Sequence, residues 1–288
     1  MIKVKAIGGL GNQLFQYATA RAIAEKRGDG VVVDMSDFSS YKTHPFCLNK
    51  FRCKATYESK PKLINKLLSN EKIRNLLQKL GFIKKYYFET QLPFNEDVLL
   101  NNSINYLTGY FQSEKYFLSI RECLLDELTL IEDLNIAETA VSKAIKNAKN
   151  SISIHIRRGD YVSNEGANKT HGVCDSDYFK KALNYFSERK LLDEHTELFI
   201  FSDDIEWCRN NLSFDYKMNF VDGSSERPEV DMVLMSQCKH QVISNSTFSW
   251  WGAWLNKNDE KVVVAPKEWF KSTDLDSTDI VPNQWIKL

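Results

Sequence analysis

The chain has 288 residues, 43% of them hydrophobic, and its 38 Lys and Arg balance 38 Asp and Glu to a formal net charge of zero. That length suits one large or two modest domains, each with its own core. The charge balance argues against a chain-wide nucleic-acid surface, which needs a basic excess, and no run of about 18 apolar residues exists to span a bilayer.

The chain opens directly on Met-Ile-Lys-Val-Lys, with nothing that reads as a secretory leader. Cys47, Cys53, Cys123, Cys174, Cys208 and Cys238 are scattered, without a Cys-x-x-Cys or a zinc-like His pairing. The expectation is free thiols in a reducing cytosol, where the sequons at Asn101, Asn168 and Asn245 go unused.

The first 34 residues read as strand, turn, helix and strand. Val4, Ala6 and Ile7 make the strand, and Gly8, Gly9 and Gly11 the turn. Leu14, Phe15, Tyr17, Ala18, Ala22 and Ile23 form the packing stripe of a helix that Gly28 ends. Val31-Val32-Val33-Asp34 is the next strand. Gly8-Gly9-Leu10-Gly11-Asn12-Gln13 is close to a dinucleotide fingerprint, with Asp34 where a ribose-binding acid would stand. An NAD(P)-dependent sugar oxidoreductase or epimerase is therefore an alternative. Against it, the third glycine would fall at Leu14, and no Tyr-x-x-x-Lys pair is present.

Residues 60–85 read as a basic amphipathic helix. Leu63, Ile64, Leu67, Leu68, Ile73, Leu76, Leu77 and Leu80 form apolar stripes. Lys60, Lys62, Lys66, Lys72, Arg74, Lys79, Lys84 and Lys85 stand against the single acid Glu71. A domain helix with solvated lysines explains this pattern, and so does peripheral contact with an anionic membrane. Glu114–Leu130 and Ala137–Lys149 also read as helices, and the division into domains is expected at 140/141.

From Ser151 strands and helices alternate, which argues an α/β fold with a covered parallel sheet. Strands are expected at 151–156, 198–201, 219–221, 241–244 and 261–265. Helices are expected at 176–190, 205–211, 230–237 and 248–255. Polar clusters follow the strands: Arg157, Arg158 and Asp160; Ser202, Asp203 and Asp204; Asp222 and Gly223; Asn245, Ser246 and Thr247. In a parallel sheet these turns lie along one edge, where ligands bind.

Ser151-Ile152-Ser153-Ile154-His155-Ile156-Arg157-Arg158-Gly159-Asp160-Tyr161 is the sharpest signal. A buried strand ends in two guanidiniums, whose planar forks match phosphate oxygens. His155, at the strand end, is a ligand candidate. Ser244-Asn245-Ser246-Thr247-Phe248-Ser249-Trp250-Trp251 sets small hydroxyl residues between a strand and a helix amino end. That is a phosphate site or, at Ser246 or Thr247, simply an N-cap; the tryptophans read as packing. Asp175-Ser176-Asp177 and Asp274-Leu275-Asp276 have the spacing of a divalent-metal motif, but the pattern is cheap and both read as structural. Arg158-Gly159-Asp160 as an adhesion tripeptide would need secretion.

Gly8-Gly9-Leu10-Gly11-Asn12-Gln13-Leu14-Phe15-Gln16-Tyr17-Ala18, His155-Ile156-Arg157-Arg158-Gly159-Asp160-Tyr161, Phe201-Ser202-Asp203-Asp204 with Glu206-Trp207-Cys208, and Ser246-Thr247-Phe248-Ser249-Trp250-Trp251 occur in this order over residues 8–255. Together they resemble glycosyltransferase family 11, the α-1,2-fucosyltransferases, of the bacterial O-antigen type. Residues 50–150 carry no matching motif.

The resemblance implies a GT-B fold, two Rossmann-like domains facing across a cleft: 1–140 on the acceptor side and 141–288 binding the donor. It implies GDP-β-L-fucose, inversion to an α-fucoside on the 2-hydroxyl of a terminal β-galactoside, and no metal or other cofactor. The acceptor is a galactoside oligosaccharide, lipid-linked if the basic helix meets a membrane. On the donor side Arg157 is implied to hold the diphosphate, with Arg158 and Asp203 in the same clusters. His155 and Asp231 lie near guanine, and Ser246, Thr247, Phe248 and Ser249 line the phosphate pocket. Gly11 and Asn12 approach from the other domain. Asp160 is the nearest carboxylate to serve as base, or else it fixes an arginine; Asn12 orients the hydroxyl. A catalytically silent nucleotide- or glycan-binding module is a further alternative.

Overall fold

The computed structural model describes residues 1–40, 43–59, 70–83, 85–131, 136, 139–223 and 226–288, and of residues 71, 75, 78, 160, 163 and 167 the backbone alone. The chain forms two compact units, Met1–Thr129 and Leu130–Leu288. The division thus falls ahead of the expected 140/141.

In the first unit the elements are β1 (Ile2–Lys5), α1 (Leu10–Arg27), β2 (Val31–Asp34), β3 (Ala55–Glu58), α2 (Glu71–Lys79), β4 (Tyr86–Phe88), α3 (Asp97–Leu100), β5 (Tyr106–Thr108) and α4 (Arg121–Glu127). The sheet order is β3-β2-β1-β5-β4, and every pairing is parallel. The predicted strand–helix–strand opening is present.

α1 starts after Gly9 and stops at Gly28, whose φ of 63° lets its N–H reach back to the carbonyls of Ala24 and Glu25. It is buried on nearly every side, and Gln13 and Gln16 are fully buried with it. Their amides are satisfied by turns. Gln16 Nε2 donates to the carbonyls of Ile7 (3.2 Å) and Gly109 (3.1 Å), and its Oε1 accepts from Ile7 N–H (3.0 Å). One side chain therefore staples the turn after β1 to the turn after β5, which is what makes a buried amide tolerable.

Two helix expectations are corrected. Glu114–Leu130 is not one helix: 3₁₀ turns at Glu114–Tyr116 and Leu118–Ile120 precede α4. Tyr116 and Phe117 are both buried, and Phe117, at φ −138° and ψ 6°, is outside the helical region and breaks the run. Of the expected 60–85 helix, residues 60–69 lie outside the described residues, and α2 covers Glu71–Lys79.

The second unit runs α5 (Ala140–Asn147), β6 (Asn150–Ile156), α6 (Gly159–Ser163), α7 (Glu165–His171), α8 (Ser176–Glu188), β7 (Thr196–Ser202), α9 (Ile205–Asn211), β8 (Lys217–Phe220), α10 (Pro228–Gln237), β9 (His240–Val242), α11 (Thr247–Trp254), β10 (Val263–Ala265) and β11 (Ile286–Lys287). The order β11-β10-β9-β6-β7-β8 is again wholly parallel. α5 belongs here because Ser142 Oγ donates to Gln237 Oε1 of α10 at 2.8 Å.

Ile152, Ile154, Leu198, Ile200, Val242 and Val264 form the sheet's contribution to the core, and α8 covers them with Phe179, Ala182, Leu183 and Phe186. Each fully buried large side chain contributes about 1.5–3 kcal/mol. Asp175 caps α8 by accepting from Tyr178 N–H at 2.9 Å, so this Asp-x-Asp is structural as expected. The six cysteines are free thiols.

Candidate active site

The second sheet has its crossover between β6 and β9. The chain leaves β6 toward β7 and β8, then returns on the other side at β9. In an open parallel sheet the turns beyond two such strands part to opposite faces and leave a crevice for a ligand. Here those turns are 157–159 and 243–246, the two segments the sequence singles out.

His155 closes the base of the crevice. It is buried in β6, with Nδ1 2.9 Å from Ser244 Oγ and its ring 5.6 Å from that of Phe248. Burial, and then the charge of Arg157, push its pKa down to about 3. The imidazole is therefore neutral at physiological pH, a hydrogen-bonding group rather than a cation.

Arg157 and Arg158 part company. Arg157 Nη1 lies 3.0 Å from Asp203 Oδ2, and its guanidinium sits 5.4 Å from the Tyr161 ring centre. Arg158 turns toward α9, stacked 3.6 Å over Trp207 with Nε 3.3 Å from Asp204 Oδ2. Asp203 also accepts the Arg158 N–H at 2.8 Å. Its carboxylate packs so closely on Gly159 that a Cβ there would collide with it. Asp203 thus braces the whole 157–159 turn. The side chain of Asp160 lies outside the described residues.

At the opposite lip, Ser246 caps α11 by accepting from Phe248 N–H at 3.3 Å. Ser249 is buried, its hydroxyl donating to the carbonyls of Ser244 (3.4 Å) and Ser246 (3.2 Å). Thr247 and Phe248 stay half-buried at the rim. A helix amino end there carries partial positive charge. Tyr161 Oη donates to the Asn245 carbonyl (3.3 Å), and Asn245 Nδ2 to those of His171 (2.8 Å) and Trp269 (3.2 Å). The α6–α7 excursion, absent from the predicted elements, is in this way fastened to the serine turn.

Asp231 sits on α10 against the turn after β8, where Gly223 leaves no room for a Cβ beside its carboxylate. Burial, and then Glu229, push its pKa up to about 6.

The first unit has its own crossover, between β1 and β5. Gly8, with φ 78°, lets the Asn12 amide fold against it, and Gln112 Nε2 donates to Asn12 Oδ1 at 2.9 Å. Gly11 is buried in the first turn of α1. Asp34 is fully buried, accepting from Tyr106 Oη (2.9 Å) and Ser36 N–H (3.1 Å), with Lys3 Nζ 3.5 Å away. A carboxylate so enclosed cannot take a ribose, and Leu14 is core; the dinucleotide reading fails on both counts.

Gln112, on this rim, escapes the sequence reading. The one local trace is at Gln112, three residues after the glycine that ends the short strand Tyr106-Leu107-Thr108.

The family model for glycosyl transferase family 11 matches residues 1–288. An Escherichia coli alpha-1,2-colitosyltransferase is 35% identical over 295 residues, covering 100% of this chain and 99% of its own. The E. coli O-antigen biosynthesis glycosyltransferase WbnK is 34% identical, covering 98% of each chain. The solved structure of the alpha-1,6-fucosyltransferase NodZ soaked with GDP-fucose superposes with TM-score 0.52 at 14% identity, over 88% of this chain and 92% of that one. Its likeness is one of fold, the GT-B class. With a match from the first residue to the last, this chain belongs to glycosyltransferase family 11 and is a glycosyltransferase.

Proposed function

We propose that the protein transfers L-fucose from GDP-β-L-fucose to the 2-hydroxyl of a terminal β-galactoside, with inversion and without a metal. The observation that carries this is the meeting of Arg157, neutral His155 and the amino end of α11 at one crossover crevice. Loss of GDP from the sugar builds negative charge on the β-phosphate, and donors fixed in advance stabilise it. Asp203 holds the Arg157 fork in place. Thr247, at the first position of α11, brings backbone N–H groups to the same crevice. Asp231 is the candidate for guanine.

A second reading is favoured by the colitosyltransferase relative. L-colitose is L-fucose without its 3-hydroxyl, so the same diphosphate machinery serves both. A site that hydrogen-bonds the 3-hydroxyl rejects the deoxy sugar strongly, whereas an apolar one discriminates weakly. The deciding experiment follows GDP release from GDP-L-fucose, GDP-L-colitose and GDP-D-mannose, each with a β-galactoside and with EDTA present. The expected result is acceptor-dependent release from GDP-L-fucose and an α-1,2 product. Preference for GDP-L-colitose would select the second reading, and loss of activity in EDTA would overturn metal independence.

The WbnK relative is named for O-antigen biosynthesis, which favours an O-antigen glycan as acceptor, and the proposal includes its being lipid-linked. No helix among the described residues is long and apolar enough to cross a membrane. α2 and the residues after it expose Leu76, Leu80 and Phe82 alongside Lys72, Lys79 and Lys85. Such a surface suits peripheral contact with anionic lipid. Salt-sensitive co-sedimentation with phosphatidylglycerol vesicles is expected, and its absence would remove the membrane contact.

A further inference from the structure

We propose that Ser244 is a positioning residue that fixes the tautomer of His155, leaving Nε2–H as a neutral donor for an acceptor atom of the bound nucleotide; this rests on the nucleotide-sugar donor proposed above. All the groups involved belong to the second unit. Side chains alternate between the faces of a strand. Ile152, Ile154 and Ile156 enter the core under α8, so His155 stands on the other face of β6, in contact with Ser244 and the ring of Phe248. β9 pairs with β6 so that Val242 lies opposite Ile154. That register carries Ser244, two residues on, beside the end of β6.

Ser244 cannot turn away. Its carbonyl accepts from Ser246 N–H (2.8 Å) and from the Ser249 hydroxyl (3.4 Å). The Ile243 carbonyl before it accepts from Tyr178 Oη (2.7 Å). The Ser244 side chain is sealed from solvent. His155 Nδ1, at 2.9 Å, is the one partner of its hydroxyl among the described residues.

The available protons then select a tautomer. His155 is neutral, so one ring nitrogen carries a proton and the other accepts. If Nδ1 held the proton, it would donate to Ser244 Oγ, and the hydroxyl proton of the serine would be buried with no acceptor. Such an orphan makes that tautomer the minor form by roughly 5- to 150-fold. With the hydroxyl donating to Nδ1, both buried atoms are satisfied and the ring proton sits on Nε2.

His240 shows this tautomer in a purely structural place. There Nδ1 accepts from Val262 N–H at 3.0 Å, and Nε2 is sealed without a partner. His155 Nε2 makes no hydrogen bond among the described residues either, but it is not sealed. It opens on the crevice shared by Arg157 and the amino end of α11. An N–H there suits an acceptor: an oxygen of the diphosphate, or N7 or O6 of guanine.

The test is nitrogen NMR of the full chain with ring-labelled histidine at neutral pH, the His155 signals being assigned by their loss in His155→Gln. Wild type is expected to show a protonated Nε2 and a bare Nδ1. Ser244→Ala is expected to spread the proton over both nitrogens and to weaken GDP binding, read by calorimetry, about 2- to 10-fold. GDP is expected to shift the Nε2–H signals, and separate titrations with guanosine and with pyrophosphate tell which part of the nucleotide accepts. A wild-type proton on Nδ1 would overturn the proposal. So would a tautomer unchanged in Ser244→Ala, or Nε2–H signals that bound GDP leaves in place. Should Ser244→Ala fail to fold, the wild-type tautomer and its response to GDP still decide. If GDP does not bind at all, the nucleotide-sugar reading falls and takes the ligand of this donor with it; a proton on Nδ1 with GDP bound overturns the role of Ser244 alone.

Discussion

Arg157→Lys is expected to lower kcat by about 10²–10³-fold while changing the donor KM less than tenfold. The guanidinium presents a planar fork, held by Asp203 at 3.0 Å, and can offer two parallel N–H groups to a departing phosphate. An ammonium is a point charge on a flexible stem and cannot reproduce that geometry. Charge-assisted hydrogen bonds contribute about 1.5–3 kcal/mol each, and about 1.4 kcal/mol is tenfold in rate. Loss of one or two such bonds, felt in the transition state, yields the stated range. Steady-state kinetics of GDP release measures it. A raised KM with unchanged kcat would mean that Arg157 binds ground and transition states equally.

Trp250→Ala is expected to destabilise the second unit by about 3–5 kcal/mol, the usual cost of removing a large buried aromatic. Trp250 is fully buried on α11. Its indole N–H donates to the Ile280 carbonyl at 2.8 Å, and its ring contacts Trp251, Trp254 and Trp285 at 5.1–6.1 Å between centroids. Truncation leaves a cavity and an orphaned carbonyl. Because α11 carries the serine turn at its amino end, GDP affinity is expected to fall with stability. Urea denaturation followed by tryptophan fluorescence gives the first quantity and calorimetry with GDP the second. A loss under 1 kcal/mol would show that the tryptophan cluster is not what seats the helix.

Much of the second unit was legible because its two central strands, β6 and β7, are seven residues long and almost wholly buried. Asn150–Ile156 and Thr196–Ser202 depart from the expected bounds by at most two residues. The first unit was harder. β3, β4 and β5 are only three or four residues long and half-exposed or mixed, too short for a period of two to stand out. The excursion of α6 and α7 carries no apolar stripe of its own; it is held by hydrogen bonds from Tyr161 and Asn245 to distant carbonyls.

By itself the sequence determined the α/β class, the polar rim beyond the strands and the family, because these depend on local periodicity and on side-chain chemistry. Tertiary structure alone decided what each group is free to do. It turned Arg158 onto Trp207, spent Ser246 and Ser249 on the backbone, enclosed Asp34 and made His155 neutral. Those outcomes depend on burial and on partners tens of residues away along the chain, which fold topology brings together and which no local pattern encodes.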